Sequence, residues 1–146
     1  MPSPLKFRTL LLRCSRLMSD EYNVILLPHQ LNYSLWQVLY IIQEQIEITS
    51  IDIAQYLNVS KPSIAKRIHV LIGLELIEQV NTVDKRQKKL KLSQHGQILY
   101  QTCSEKIDLF EKQLLMKIAP VDLKQSTDML TQLLDHLEHK STGAKP

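Results

Sequence analysis

The chain has 146 residues, enough for one domain or one compact subunit, and is 44% hydrophobic but only 5% aromatic. Three glycines argue against a turn-rich all-β fold and favour long helices around an aliphatic core. Two cysteines, Cys14 and Cys103, are too few for a disulfide scaffold and indicate a reducing, cytoplasmic setting. We find no signal peptide and no apolar stretch long enough to span a membrane.

The net charge of +3 is unevenly distributed. Between Lys61 and Lys91 eight Lys and Arg residues stand against three acids, so eight minus three leaves +5 in this segment and −2 elsewhere. A basic block on a nearly neutral chain favours contact with a polyanion over general solubility.

Two helices and a short strand are predicted in the first 49 residues. The first covers residues 5–27, ends before Pro28, and has an apolar stripe formed by Leu10, Leu11, Cys14, Leu17 and Met18. The second follows a cap at Asn32 or Ser34 and turns inward Leu35, Val38, Leu39 and Ile42. The alternating segment IEIT, residues 46–49, predicts a small strand.

Residues 49–77, TSIDIAQYLNVSKPSIAKRIHVLIGLELI, predict a helix-turn-helix. Thr49 or Ser50 caps a short helix that turns Ile53, Ala54 and Leu57 inward. After the turn LNVS, Ser60 caps a second helix. Pro62 lies in the first turn of that helix, where its missing N–H costs nothing.

The hydrophobic period changes from 3.6 to 2 after Leu76, which predicts a β-hairpin. The segments LIEQV and KKLKL pair as antiparallel strands around the loop NTVDKRQ, with Leu90 and Leu92 inward and Lys89 and Lys91 outward. A hairpin directly after a helix-turn-helix is the winged-helix arrangement. The predicted fold is therefore mainly α with a small β-hairpin wing.

Two further helices are predicted after the hairpin. Ser93 caps a long helix that reaches about Ile118 and is broken by Pro120, with one side formed by Leu99, Cys103, Ile107, Phe110 and Leu114. A last helix carries Leu130, Leu133, Leu134 and Leu137. The tail STGAKP is predicted to fray.

The second helix of the helix-turn-helix has one face suited to the DNA major groove. On a helical wheel Ile64, Ile68 and Leu71 point inward, opposite a face made by Pro62, Ser63, Lys66, His69 and Val70. On that face Lys66 suits guanine acceptors, Ser63 and His69 suit base edges, and Val70 suits a thymine methyl. Lys61 and Arg67 are predicted phosphate contacts. The competing interpretation is an ordinary solvated helix face.

The loop of the hairpin adds further basic candidates for DNA contact. Lys85 and Arg86 lie at its tip and Lys88 follows, placed to run along phosphates or enter the minor groove. Asp84 is predicted to orient Arg86 through a charge-assisted hydrogen bond or to cap the turn.

The segment DKRQKKLKLSQHG, residues 84–96, resembles the wing signature of the MarR family of bacterial transcription regulators. That signature has Asp-x-Arg, basic and apolar alternation, and then Leu-Thr/Ser-x-x-Gly, and it is matched here by Asp84, Arg86, Leu92, Ser93 and Gly96. The upstream helix-turn-helix also resembles that of the family. One departure is Glu75, which stands where the family usually has Gly just before the first wing strand.

The terminal helices carry more apolar residues than one small winged domain can cover: Leu5, Phe7, Leu12, Leu133, Leu134 and Leu137. We therefore predict a twofold dimer that presents two recognition helices to a pseudo-palindrome, with an intramolecular bundle as the alternative. The resemblance likewise implies a dimer, usually a repressor. The expected parts are a dimerisation helix at 1–31, a winged helix-turn-helix at 32–95 and dimerisation helices at 96–146.

The resemblance also implies a small-molecule or redox input. Aromatic carboxylates or phenols bind family members between the dimerisation helices and the winged domain, and the candidate residues here are Arg13, Arg16, Tyr33, Trp36 and Tyr40. The alternative is that the aromatic residues are core and the arginines form ion pairs. Cys14 is a redox candidate flanked by two arginines, although its place on the apolar stripe predicts a buried, inert thiol.

The predicted function is a sequence-specific DNA-binding regulator, a dimeric repressor released from its operator by a small aromatic ligand. An oxidation-sensing repressor and a basic module for an acidic protein partner are the alternatives. We find no Gly-rich phosphate loop, nucleophile elbow or matched carboxylate pair, so an enzyme is not predicted, nor is a cofactor. His136 and His139 lack a third ligand and favour a solvated helix end over a metal site.

Overall fold

The computed structural model describes residues 4–80 and 88–143, with side chains described up to residue 140. Within these ranges the fold is mainly helical with a small sheet, which confirms the predicted class. The chain divides into two compact units, residues 1–107 and 108–146, while the predicted three-part division stays a prediction. The elements are α1 Phe7–Leu26, a 3-10 helix Leu27–His29, α2 Tyr33–Glu44, β1 Ile48–Thr49, α3 Ser50–Leu57, α4 Lys61–Gly73, β2 Ile77–Val80, β3 Lys89–Leu92, α5 Gln94–Leu114 and α6 Pro120–Gly143.

The core of the first unit is built from the apolar faces that the helical periodicity predicts. Each fully buried aliphatic side chain contributes roughly 1.5–3 kcal/mol relative to an exposed one. This burial fixes α4 against its neighbours, so that its opposite face is held outward. The buried residues include Leu35, Val38, Leu39 and Ile42 of α2, Ile53 and Ala54 of α3, and Ile64, Ile68 and Leu71 of α4.

Side-chain caps start three of these helices at the predicted residues. The Asn32 side chain accepts a hydrogen bond from Leu35 N at α2, and Thr49 forms a reciprocal capping box with Asp52 at α3. At α4 the hydroxyl of Ser60 accepts from the N–H of the third helical residue. A cap of this kind stabilises a helix by about 1 kcal/mol. The start of α4 is therefore set locally.

The sheet has three antiparallel strands in the order β1-β3-β2, one more than the predicted hairpin. The inward positions of Leu90 and Leu92 are confirmed, since both side chains are buried. β1 pairs with β3 through Ile48 opposite Leu90, and Lys89 Nζ lies 3.1 Å from Glu47 Oε2 across the same edge. The sequence predicted the strand but not its partner, because two residues carry too little pattern to show pairing.

The apolar stripe predicted along the first helix is not buried within the chain. α1 packs on the core through Leu26, with Tyr22 and Ile25 partly buried beside it. Cys14, predicted to be a buried thiol, is exposed. The prediction was wrong because the spacing locates the apolar side of a helix, while only the last turns of α1 reach the core.

The predicted boundary between the last two helices is also corrected. α5 ends at Leu114 instead of near Ile118, and Pro120 does not break it but begins α6. Proline suits a first helical turn because the N–H that it lacks has no intrahelical acceptor there. Cys103 and Ile107 are buried as predicted. No helix in the described part of the chain is long and apolar enough to cross a membrane.

Candidate nucleic-acid interface

The outer face of α4 carries the polar and cationic side chains predicted from the helical wheel. All five of its residues are exposed, whereas the three inward residues are at most 7% exposed. Lys66 is central on this face, and Val70 keeps 44% of its surface accessible. The exposed face is formed by Pro62, Ser63, Lys66, His69 and Val70.

The first turn of α4 contains a pair of hydrogen-bonded hydroxyls. Ser63 N donates to Ser60 Oγ at 3.3 Å, and Ser60 Oγ donates to Ser63 Oγ at 2.9 Å. Lys61 is exposed in the same turn. The helix dipole favours an anion at this end, so the charge of Lys61 lies where a phosphate would be held.

Arg67 differs from the other candidates because its side chain is directed to α2. Its Nη1 donates to the backbone oxygen of Ser34 at 3.2 Å and lies 3.4 Å from Gln37 Oε1. The side chain is half-buried. The sequence predicted that Arg67 contacts a phosphate. Its position next to the inward-facing Leu71 on the helical wheel was the one feature that indicated a contact within the chain.

The described part of the wing presents one exposed candidate cation and two paired lysines. Lys88 is exposed immediately before β3. Lys89 pairs with Glu47, and Lys91 Nζ lies 3.7 Å from Glu78 Oε2 on the neighbouring strand. Exposed ion pairs of this kind contribute little to stability, so either lysine can exchange its carboxylate partner for a phosphate. The predicted tip residues Asp84, Lys85 and Arg86 lie outside the described residues.

The junction between α4, the sheet and α5 is held by residues that the wing signature contains. Glu75 has φ 61°, a left-handed conformation, and its backbone oxygen accepts from Ser93 Oγ at 2.6 Å. Ser93 N donates to Leu76 O, and Ser93 Oγ accepts from Gly96 N at 2.9 Å. A Cβ on Gly96 would lie 1.9 Å from Leu76 O. Ser93 and Gly96 therefore fix the wing; the sequence predicted the cap at Ser93 but not this junction.

An open cleft of about 390 Å³ adjoins the outer face of α4. Its walls come from α3, α4 and the sheet and include Ile51, Ile68 and Ile72. His69 and Lys88 stand at its polar side. His69 of the exposed face of α4 and Lys88 at the base of the wing thus line the same cleft.

The predicted ligand residues are only partly brought together. A cleft of about 260 Å³ between α1 and the start of α2 includes Arg16 and Tyr33 among its lining residues. Trp36 is not among them: it is 7% exposed and its ring stacks on Tyr100 with centroids 4.8 Å apart. Arg13 and Tyr40 are exposed outside this lining. For Trp36 the structure matches the alternative interpretation, a core aromatic.

The cation of this small cleft already has a carboxylate neighbour. Arg16 Nε lies 3.4 Å from Asp20 Oδ1, one turn along α1. Both groups are exposed, so the pair is weak and Arg16 keeps donors for another anion.

The remaining titratable candidates differ in environment. Burial raises the pKa of the Cys103 thiol, partly offset by the nearby charge of Lys106. His139 Nδ1 lies 2.8 Å from Asp135 O, and this hydrogen bond, together with the Asp135 carboxylate, raises the pKa of His139. In residues 4–80 and 88–143 no group of three or more His, Cys, Asp or Glu side chains is placed to hold a metal ion.

Comparison with known proteins identifies what this arrangement is similar to. Residues 29–87 match the model of the MarR family. An uncharacterized HTH-type transcriptional regulator of Bacillus subtilis, YwoH, is 28% identical over 120 residues, which cover 82% of this chain and 88% of that protein. The fold of the present chain is similar to that of Staphylococcus aureus MarR in complex with salicylate and kanamycin. The TM-score is 0.85 at 24% identity, and the match covers 92% of this chain and 91% of that one. A Staphylococcus aureus MepR–DNA complex gives TM-score 0.79 at 20% identity over 90% of this chain and 96% of that one.

Proposed function

We propose that this chain, whose residues 29–87 match the model of the MarR family, is a transcriptional regulator that binds double-stranded DNA. The observation that carries the proposal is the exposed face of α4, with Lys66 at its centre and an apolar core behind it. A helix of this kind fits the major groove, and the neighbouring wing supplies further cations. The similar MepR structure contains DNA, which supports the same use of the fold.

In the proposed complex the residues of α4 divide between base edges and phosphates. Lys66 donates to guanine O6 or N7, while Ser63 and His69 meet neighbouring base edges and Val70 packs on a thymine methyl. Pro62 lies in the same exposed turn. Phosphate contacts come from Lys61 at the helix start and from the basic wing, through Lys85, Arg86 and Lys88 with Asp84 ordering the tip.

We propose further that the chain acts as a homodimer. Two helices present apolar side chains that stay exposed in the single chain, and burying them against a second copy is the economical way to remove them from water. A twofold dimer places two copies of α4 on half-sites about 34 Å apart. The exposed residues are Leu10, Leu12, Leu17 and Val24 on α1, and Leu130, Leu134 and Leu137 on α6.

The proposed signal is a small aromatic carboxylate or phenol that releases a repressor from its operator. The cleft between α1 and α2 supports this, since Arg16 can hold a carboxylate and Tyr33 can stack on a ring. Salicylate is present in the similar Staphylococcus aureus MarR structure. A ligand that binds one spacing of the two recognition helices better than another shifts the dimer away from the DNA-bound state.

A second input is favoured by one observation. Cys14 is exposed in the single chain and lies on the same stripe as Leu10 and Leu17, so its oxidation would act at the proposed dimer interface. Oxidation at Cys14 is therefore the alternative signal, and peroxide is its test.

The experiment is fluorescence anisotropy of the protein with DNA flanking its own coding region, across a range of salt and with or without salicylate. We expect affinity to fall steeply with salt, because cations on α4 and the wing release counterions from phosphates. Lys66→Ala should cost about 1–3 kcal/mol of binding free energy. Lys112→Ala, the same change on an exposed position of α5, should leave affinity nearly unchanged.

Each outcome has a distinct meaning. Binding that salicylate weakens supports both the regulator and its effector class, whereas binding that ignores salicylate but responds to peroxide favours Cys14. An affinity that is flat with salt and unaffected by Lys66→Ala contradicts DNA binding. The basic wing would then fit an acidic protein partner better.

A further inference from the structure

Arg67 stands at the edge of the buried side of α4. On a helical wheel it lies about 40° from Leu71 and about 100° from Lys66. Leu71 is fully buried and Lys66 is exposed, and Arg67 is half-buried between them. A side chain at this position of α4 is directed toward the neighbouring helix α2 and away from the exposed face that carries Lys66.

The guanidinium of Arg67 meets two acceptors on the first turns of α2. Nη1 donates to Ser34 O at 3.2 Å and to Gln37 Oε1 at 3.4 Å, across 33 and 30 residues of sequence. Hydrogen bonds from a charged donor are stronger than neutral ones, and the planar fork of an arginine fixes direction as well as distance. These hydrogen bonds join α4 to α2 at the margin of the apolar surface on which the two helices pack.

We propose that Arg67 is a positioning residue, which sets the angle of the recognition helix on α2 and does not bind a phosphate. The proposal rests on the proposed function, in which α4 enters the DNA groove. Lys66 directly precedes Arg67 and His69 follows two residues later, so a rotation of α4 that this contact prevents would move both groups relative to the base edges. A displacement of about 1 Å is enough to lose a base contact, because hydrogen bonds weaken steeply away from their optimal geometry.

A phosphate contact and a positioning contact differ in how salt acts on them. Each phosphate contact contributes roughly 0.9 to the slope of log affinity against log salt, because it releases a condensed counterion. A residue that only holds the helix contributes nothing to that slope, although its loss weakens binding. A phosphate also accepts lysine in place of arginine, whereas both acceptors on α2 are met by Nη1, the end of a side chain longer than that of lysine.

The test is DNA affinity over a range of salt for Arg67→Lys, Gln37→Leu and the double variant, measured well below the melting temperature of each. We expect Arg67→Lys to bind about tenfold more weakly with an unchanged salt slope. Gln37→Leu should weaken binding in the same direction although it removes no charge. The double variant should be no weaker than Arg67→Lys alone, since both changes break one contact.

Lys61→Met is the matched control, because it removes a cation that the proposed function does place on a phosphate. It should lower the salt slope by about 1. The proposal is overturned if Arg67→Lys binds like the unaltered protein, or if Arg67→Met lowers the slope as Lys61→Met does. Failure of the unaltered protein to bind DNA would instead overturn the proposed function, so the two failures are distinguishable.

Discussion

The proposed recognition helix α4 and the last helix α6 have similar amphipathic sequences but different surroundings. In α4 the apolar positions Ile64 and Leu71 are completely buried. In α6 the equivalent positions Leu130, Leu134 and Leu137 keep 42–57% of their surface exposed. Periodicity therefore identifies the apolar side of both helices, but only the structure distinguishes a side already covered by the chain from one that remains open.

The comparison has a thermodynamic consequence. The placement of α4 depends on contacts within one chain, so it should not vary with protein concentration. If the open side of α6 is covered by a second copy, the stability of that region becomes linked to dimerisation and rises with concentration. The predictions below separate these two kinds of stability.

The largest effect is expected at Gly96, inside the region that is complete within one chain. A methyl group added there would lie 1.9 Å from Leu76 O, and the nearby atoms belong to backbone that anchors the wing. Gly96→Ala should therefore destabilise the fold by about 3 kcal/mol or more. Urea denaturation followed by circular dichroism measures the change.

Gly73→Ala is the matched control for Gly96→Ala. A Cβ at Gly73, the last residue of α4, meets nothing within 4 Å. Alanine there should be neutral or stabilise by up to about 1 kcal/mol, because glycine loses more backbone entropy in a helix. Equal losses from both substitutions would contradict the close approach of α5 to the start of the wing.

The next effect concerns α6 and tests whether its open side holds the dimer together. Leu130→Glu with Leu134→Glu places two charges on that side, and a buried unpaired charge is costly. We expect monomers by light scattering, and DNA affinity reduced at least about a hundredfold, because two linked half-site contacts become one.

Gln132→Glu is the control for the α6 variant, since it adds charge to the same helix at a position that is exposed and outside the leucine stripe. It should leave the oligomeric state unchanged. Dimers that persist with both leucines replaced would assign the interface to other surfaces of the chain. Unchanged folding of the 1–107 unit can be checked in the same samples by the emission of Trp36.

Features of the fold that depend on neighbours in sequence were predictable. Ser60 caps its helix as predicted, and Asn32 and Thr49 are each one of the two predicted cap candidates, because a cap involves residues only two or three positions apart. The pairing of β1 with β3 was not predictable, since it joins residues about 40 positions apart through one short strand. The exposure of Cys14 was missed for a related reason. Periodicity shows toward which side of a helix a residue lies, but it does not show whether another element covers that side.

The candidate site shows the same division. The outer face of α4 was predictable because one helix carries it, with Lys66 and His69 placed by the rotation per residue. The contacts of Arg67 with α2 and of Trp36 with Tyr100 each join separate elements, and neither follows from spacing. The junction formed by Ser93 and Gly96 was visible as a signature, but its role as the support of the wing required the structure.

The smallest predicted effect lies at Glu75, a residue in an unfavourable backbone conformation between α4 and the first wing strand. Glu75 has φ 61°, just after α4 ends, a position that usually carries glycine because a Cβ is unfavourable in the left-handed region. Its backbone contact with Ser93 does not require the side chain. Glu75→Gly should therefore stabilise the protein by about 1 kcal/mol in urea denaturation, because the relief of backbone strain exceeds the added entropy of the unfolded chain.

The control is Glu111→Gly at an exposed helical position of α5, which should destabilise the protein by about the same amount. Opposite signs for two identical substitutions would show that the gain at residue 75 comes from backbone conformation, whereas losses at both would mean that the glutamate side chain itself stabilises the junction.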